Sequence, residues 1–221
     1  MIKTLRAALT AVAVTGSLLT LSPSAGATAT PVAAPPTERV TVDVATVNGS
    51  GCRPGTATVA VAPDNTAFTV TYSEYLASAG GASTAVAGRK NCQLALDVHV
   101  PQGYTYAVAQ VDYRGYAKLE EGAIGTQKAS YYFQGMSATA SRTHKFTGAL
   151  DDNWQVTDTA GVEALVFAPC GAQRNFNINT ELRAEVGDSD PAKTSYMAVD
   201  STDGTINTVY HFAWKKCTVR R

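Results

Sequence analysis

Between Arg89 and Gly135 apolar side chains recur at every second position, and this two-residue period constrains the chain more than any other feature. Leu94, Leu96, Val98 and Val100 share one phase, with Asp97 and His99 on the other. After the turn Pro101-Gln102-Gly103, Tyr104, Tyr106 and Val108 share a phase, but Val111 and Tyr113 fall on the opposite one. One extra residue moves every later side chain across the pleat, so the switch predicts a β-bulge or a crossing between sheets. Lys118 to Lys128 reads as a charged, Gly-containing loop or a single helical turn. Tyr131, Phe133 and Gly135 then return to strand.

The same period runs on either side of this stretch. Val40, Val42 and Val44 mark a first strand, and Thr56–Val61 with Phe68–Tyr75 form a hairpin about Pro63-Asp64-Asn65. Ala77 to Gly88 is small, nearly uncharged and loop-like. Residues 137–158 read as short strands and an irregular loop, and Val162–Phe167 as a buried strand ended by Pro169-Cys170-Gly171. Along 175–186, Phe176, Ile178, Leu182, Ala184 and Val186 alternate with Asn175, Asn177, Asn179, Glu181, Arg183 and Glu185. Ser195–Val199 and Ile206–Trp214 suggest a second hairpin around Ser201-Thr202-Asp203-Gly204. With about ten short strands and no amphipathic helix, the expected fold is all-β: one antiparallel β-sandwich of jelly-roll or Greek-key type.

Residues 1–27 read as a signal peptide. Lys3 and Arg6 precede an uncharged apolar run, and Ala25-Gly26-Ala27 offers a small-residue cleavage site. The run is shorter than the ~20 residues of a spanning helix, so a secreted, extracellular chain without a membrane span is expected. Removing Lys3 and Arg6 leaves 16 basic against 18 acidic residues, a balance that argues against nucleic acid as a partner. Residues 28–39, rich in Pro, Ala and Thr, read as a flexible leader to a single domain over 40–221. Cys52, Cys92, Cys170 and Cys217 form an even set, which in an exported chain predicts two disulfides. Of three possible connectivities, Cys52–Cys92 with Cys170–Cys217 is favoured because each pair encloses a few neighbouring strands. No Cys-x-x-Cys or clustered histidines suggest a zinc site, and no metal or cofactor is expected.

Several segments together resemble the secreted domain-of-unknown-function family 4360. They are Asn48-Gly49-Ser50-Gly51-Cys52, RKNCQLALDVHVP (89–101), DYRGYA (112–117), YYFQG (131–135), Pro169-Cys170-Gly171 and NINTEL (177–182). The resemblance covers about Thr41 to Cys217. It implies secretion and a β-rich fold, and it carries no catalytic residue, because the family has no established activity. Arg53 between Cys52 and Pro54, and Phe167-Ala168 before Pro169, depart from the family pattern.

Little in the sequence points to catalysis. No Gly-x-Ser-x-Gly elbow is present. His99 and His211 lie in strands, and His144 reads as surface. A glycosidase needs two carboxyls held across a cleft, for which Asp97, Asp112 and Glu181 are the strand carboxylates to test. The acidic stretches Asp188-Ser189-Asp190 and Asp200–Gly204 read as turns rather than calcium loops, lacking the closing Glu of an EF-hand. Asp112, Tyr113, Arg114 and Tyr116 combine charge with aromatic rings at the phase switch. Asn177, Asn179, Glu181 and Arg183 form a ladder of hydrogen-bonding groups, and exposed tyrosines stack on sugar rings. These residues suggest a non-catalytic binding module for cell-wall or environmental polysaccharide, with a polysaccharide hydrolase or a structural envelope protein as alternatives.

Overall fold

The computed structural model describes residues 32–161, 164–199 and 207–218. The signal-peptide segment and the turn at 201–204 lie outside them. The first six strands are β1 (Thr41–Asn48), β2 (Ala57–Val61), β3 (Ala67–Tyr72), β4 (Leu76–Ala79), β5 (Arg89–His99) and β6 (Tyr104–Leu119). Then come β7 (Ile124–Phe133), β8 (Thr139–Thr147), β9 (Leu150–Thr159), β10 (Phe176–Glu185), β11 (Ser195–Ala198) and β12 (Thr208–Lys216). They form two sheets packed face to face, every strand pair antiparallel. One sheet has five strands in the order β1-β5-β10-β7-β8, and β2, β3, β4, β6, β9, β11 and β12 make the other.

The long strand β6 is the spine of the seven-stranded sheet. One of its edges pairs with β9 over Gln110–Leu119. Its other edge pairs first with β12 over Tyr104–Tyr113 and then with β11 over Tyr116–Lys118. β11 and β12 therefore run in the same direction, end to end, and the expected hairpin between them does not form. The predicted phase switch is a bulge: Val108 faces Phe212 and Gln110 faces His211, leaving Ala109 as the extra residue. The freed Ala109 carbonyl accepts a hydrogen bond from the Ala160 N–H at 2.8 Å.

Three other expectations change. The charged loop at 118–128 shrinks to a turn between Leu119 and Ile124, because Leu119, Ala123, Gln127 and Ala129 all point into the core. Its polar letters belong to the outer face of two strands, to the turn at Glu120-Glu121 and to one buried glutamine. The apolar run after residue 161 is not a strand over 164–167. It runs instead past the edge of β6 that β9 leaves free, where Ala168 donates to the Tyr106 carbonyl (2.9 Å) and accepts from Thr105 Oγ1 (2.6 Å). Residues 77–88 hold part of β4 and a short 3₁₀ turn, with Ala77 fully buried. The leader is also tied down in its described part. Ala33 bridges Trp214, and the Asn65 side chain donates to the carbonyls of Pro36 and Glu38 while accepting from the Val40 N–H.

Aromatic rings fill the space between the sheets. Phe68 stacks on Tyr210 at 4.7 Å, Tyr131 stacks on Phe176 at 6.1 Å, and Tyr106 meets Phe133 and Phe212 edge-on at 5.4 and 5.5 Å. Such pairs contribute about 0.5–1.5 kcal/mol each beyond the area they bury. Tyr72, Tyr75, Tyr106, Tyr113, Tyr131 and Tyr210 are all buried. Their hydroxyls link the sheets at two places, Tyr113 to Tyr131 and Tyr75 to Thr180 (3.1 Å). Burial pushes all six phenols upward, since the charged form would lose its water. The disulfides are Cys52–Cys92 and Cys170–Cys217, the favoured pairing.

Two predictions follow from this packing. Cys52 and Cys92 are buried whereas Cys170 is exposed, so access favours attack on the second bridge. Mild reduction followed by alkylation and mass mapping should label Cys170 and Cys217 first; equal labelling of both pairs would contradict the burial. In the middle of β6, Gly115 lets Trp154 lie against the strand, and a Cβ there would come within 2.2 Å of the Trp154 ring and 2.4 Å of the Ala198 carbonyl. Gly115→Ala should cost roughly 1–3 kcal/mol in urea unfolding.

Candidate functional site

Strand alternation past the Ala109 bulge aims Val111, Tyr113, Gly115 and Ala117 inward and Asp112, Arg114, Tyr116 and Lys118 outward. Tyr113 is 1% exposed and belongs to the core, so it lies away from the surface that Asp112, Arg114 and Tyr116 share. Neighbouring strands complete that surface. Thr157 of β9 sits directly across from Asp112, and β12 brings His211 alongside. His211 Nε2 lies 2.7 Å from Asp112 Oδ2, Thr157 Oγ1 donates to Oδ1 at 2.6 Å, and Gln110 Nε2 donates at 3.1 Å.

Burial raises the Asp112 carboxyl, but the hydrogen bonds from Thr157, Gln110 and His211 outweigh it and hold the group below its ordinary value. Farther along the strand, the rings of Tyr116 and Tyr196 (β11) lie 6.0 Å apart with 30° between their planes. The Tyr116 hydroxyl donates to Asp151, and that bond pushes the phenol up to about 12. Lys118 reaches the same carboxylate at 3.5 Å. Among the described residues, no carboxylate pairs with Arg114, which stands exposed between the polar cluster and the two rings.

The other predicted residues lie on the opposite side of the molecule. Asn177, Asn179, Glu181 and Arg183 of β10 face outward from the five-stranded sheet. Glu181 accepts from Arg89 Nε at 2.7 Å and lies 3.5 Å from Arg183, which in turn lies 3.7 Å from Glu185. This charge ladder is satisfied within itself. Asp97 is engaged by Gln173 at 2.7 Å. It lies six residues along β5 from Asn91, the partner of Glu181, which places the two about 20 Å apart. Asp112 belongs to the other sheet, so these three carboxylates do not gather across a common cleft. At Asp188-Ser189-Asp190 the side chains make a turn, Ser189 bonding the Val186 carbonyl and Asp190 the Ala192 N–H. The stretch at 200–204 lies outside the described residues.

His211, Thr157, Tyr196 and Asp151 join this surface through cross-strand register, which no local sequence pattern exposes. His144 of β8, rather than plain surface, reaches across to the other sheet and lies 3.1 Å from Asp158 of β9, whose carboxylate also meets Arg142 at 3.9 Å. Near the bulge, a largely apolar cleft of about 80 Å³ opens between Val108–Val111 and Tyr131–Phe133.

The lowered Asp112 carboxyl predicts a pH effect. Its stabilising contribution is complete above the ordinary Asp value of ~3.9 and is lost as pH falls through the lower folded value. Asp112→Asn should therefore flatten that part of the acid limb of the stability profile, measured by urea unfolding between neutral and acid pH. An unchanged limb would mean that the hydrogen bonds to Asp112 do not favour its charged form.

Comparison with known proteins places the chain. A secreted protein of uncharacterised function from Arthroderma benhamiae is 34% identical over 185 residues, covering 84% of this chain and 75% of that protein. Among solved structures, the enzymatically active domain of bacteriophage CBA120 tailspike protein 4 matches at 13% identity and a TM-score of 0.24, covering 81% of this chain and 19% of that one. No helix among the described residues is long and apolar enough to cross a membrane, and two disulfides suit an oxidising, extracellular setting. The family model described as "Domain of unknown function (DUF4360)" matches residues 38–217, and the chain belongs to that family.

Proposed function

We propose that this is a secreted, non-catalytic binding module that holds polysaccharide on the outer face of its seven-stranded sheet. The observation that carries this reading is the outward-facing row along β6, where the Tyr116–Tyr196 ring pair adjoins the exposed Arg114, which pairs with no carboxylate among the described residues, and the Asp112–His211–Thr157 cluster. Aromatic faces take the apolar faces of sugar rings, while amide, hydroxyl and charged groups bond the sugar hydroxyls. Paired strands hold these groups in place before a ligand arrives, which reduces the ordering cost of binding. The β10 ladder is a weaker candidate because Glu181 and Arg183 already satisfy each other.

One observation favours a hydrolase as the second reading. His211 is oriented by Asp112, as a general base would be, and its side chain is 37% exposed. A pull-down of the oxidised protein on insoluble polysaccharides, with assay of released sugar, separates the two. Retention without sugar release is expected, and a reduced, alkylated control should lose it. Tyr116→Ala and Tyr196→Ala should each weaken retention roughly three- to tenfold. Asn177→Ala and Asn179→Ala on the opposite sheet should leave it unchanged. Loss through the asparagine variants would move the site to the five-stranded sheet; sugar release abolished by His211→Ala would favour the hydrolase.

A further inference from the structure

At the end of the sandwich that carries the Cys170–Cys217 bridge, the β5–β6 turn and the segment 168–174 enclose a groove of about 440 Å³. That volume is in the range of small-molecule sites, ~300–1,000 Å³. Its walls are fixed by the disulfide, by the Thr105–Ala168 hydrogen bond, and by the Cys217 N–H donating to the Gly103 carbonyl at 2.8 Å. His99, Gln102, Tyr104, Tyr106, Gln173 and Arg174 line it. None of these groups belongs to the sheet face considered above.

Two residues that line this groove each carry a buried polar atom with no hydrogen bond among the described residues: the Tyr106 hydroxyl and Arg174 Nε. Tyr106 is 2% exposed, so its hydroxyl has lost bulk water without gaining a partner. Arg174 is held in position because Nη1 donates to the Gln134 carbonyl at 2.9 Å. Gly135 leaves room for it, since a Cβ there would approach Nη1 to 2.5 Å. Three segments that carry the family resemblance thus meet here: His99 and Pro101 from 89–101, Gln134-Gly135, and Pro169-Cys170-Gly171.

The chemistry of the lining selects a class of ligand. Arg174 Nε can only donate, and Tyr106 needs a partner for its hydroxyl, so the groove calls for acceptor oxygens. Lys216 Nζ lies 5.9 Å from the centroid of the Tyr104 ring, a cation beside one lining residue. The nearby acid Asp97 is already engaged by Gln173 at 2.7 Å. Tyr104 is half-buried and offers a ring surface, and Gln102 and Gln173 offer amides. We infer that this groove is a binding site for a uronic acid: the carboxylate accepts from Arg174 and Tyr106, and the sugar ring lies against Tyr104 with its hydroxyls toward the glutamine amides.

The test uses two monosaccharides that differ in the carboxylate, D-galacturonate and D-galactose, titrated into the oxidised ¹⁵N-labelled protein by NMR. Galacturonate should shift the amides of Gly103, Gly171, Ala172 and Gln173, with galactose binding about tenfold or more weakly, as expected for loss of a hydrogen-bonded charge. Arg174→Gln should abolish the preference for galacturonate. Tyr106→Phe removes a single buried oxygen and should weaken galacturonate about fivefold or more while leaving the fold intact, which guards against misfolding of the arginine variant. Equal responses to the two sugars, no response to galacturonate, or shifts confined to β6, β9 and β12 would overturn the assignment. Because the probe is monomeric and the variants lie away from Tyr116 and Tyr196, failure here is distinguishable from failure of the polysaccharide reading.

Discussion

One unpaired residue, Ala109, decides which side chains of β6 meet water. Before the bulge Tyr106 points into the core and packs on Phe133 and Phe212; beyond it Val111 and Tyr113 take over the inward positions. Had the register continued unbroken, Asp112, Arg114 and Tyr116 would face the aromatic core, where an unpaired charge is costly to bury. The bulge instead presents them as a row on the sheet's solvent side. The extra residue breaks the local ladder, but its carbonyl finds Ala160, so that oxygen is not stranded.

The core itself is unusual in its chemistry. A core built from leucine and valine has no polar atoms to satisfy, whereas this one buries six tyrosines. Their rings supply area and edge-to-face contacts, and their hydroxyls demand partners in a medium of low dielectric. Some demands are met across the two sheets, Tyr113 with Tyr131 and Tyr75 with Thr180, so the polar tips help align the layers. The hydroxyl of Tyr106, at the disulfide end, has no partner among the described residues and belongs to a residue that lines a groove. An aromatic core of this kind links interior packing directly to the chemistry of the surface.

Much of the fold was legible where a single strand carries the evidence. The alternation in 175–186 placed the β10 residues it assigned on the correct faces, leaving only Thr180 unassigned, because a half-buried strand repeats every two residues whatever its neighbours are. The phase switch between Tyr106 and Val111 was visible for the same reason. Reading failed where residues of one letter serve two environments. Gln127 is buried in a strand that looked like a charged loop, and the apolar run before Pro169 forms no strand, meeting the β6 edge through Ala168. The candidate site was half legible. Asp112, Arg114 and Tyr116 share a surface as their spacing implied, while Tyr113 and the β10 ladder do not belong to it.

By itself the sequence determined the strand periods, the phase switch in β6 and the family membership, since each depends on residues close in sequence or on the order of motifs; it favoured the disulfide pairing without settling it. Tertiary structure alone decided the rest. It set β11 and β12 end to end on one edge of β6, placed the two predicted groups of residues on opposite faces, and brought His211 and Thr157 to Asp112 across 99 and 45 residues of chain. Cross-strand register is a property of pairs of strands, fixed when their apolar faces are buried together, and a one-dimensional pattern carries only one strand at a time.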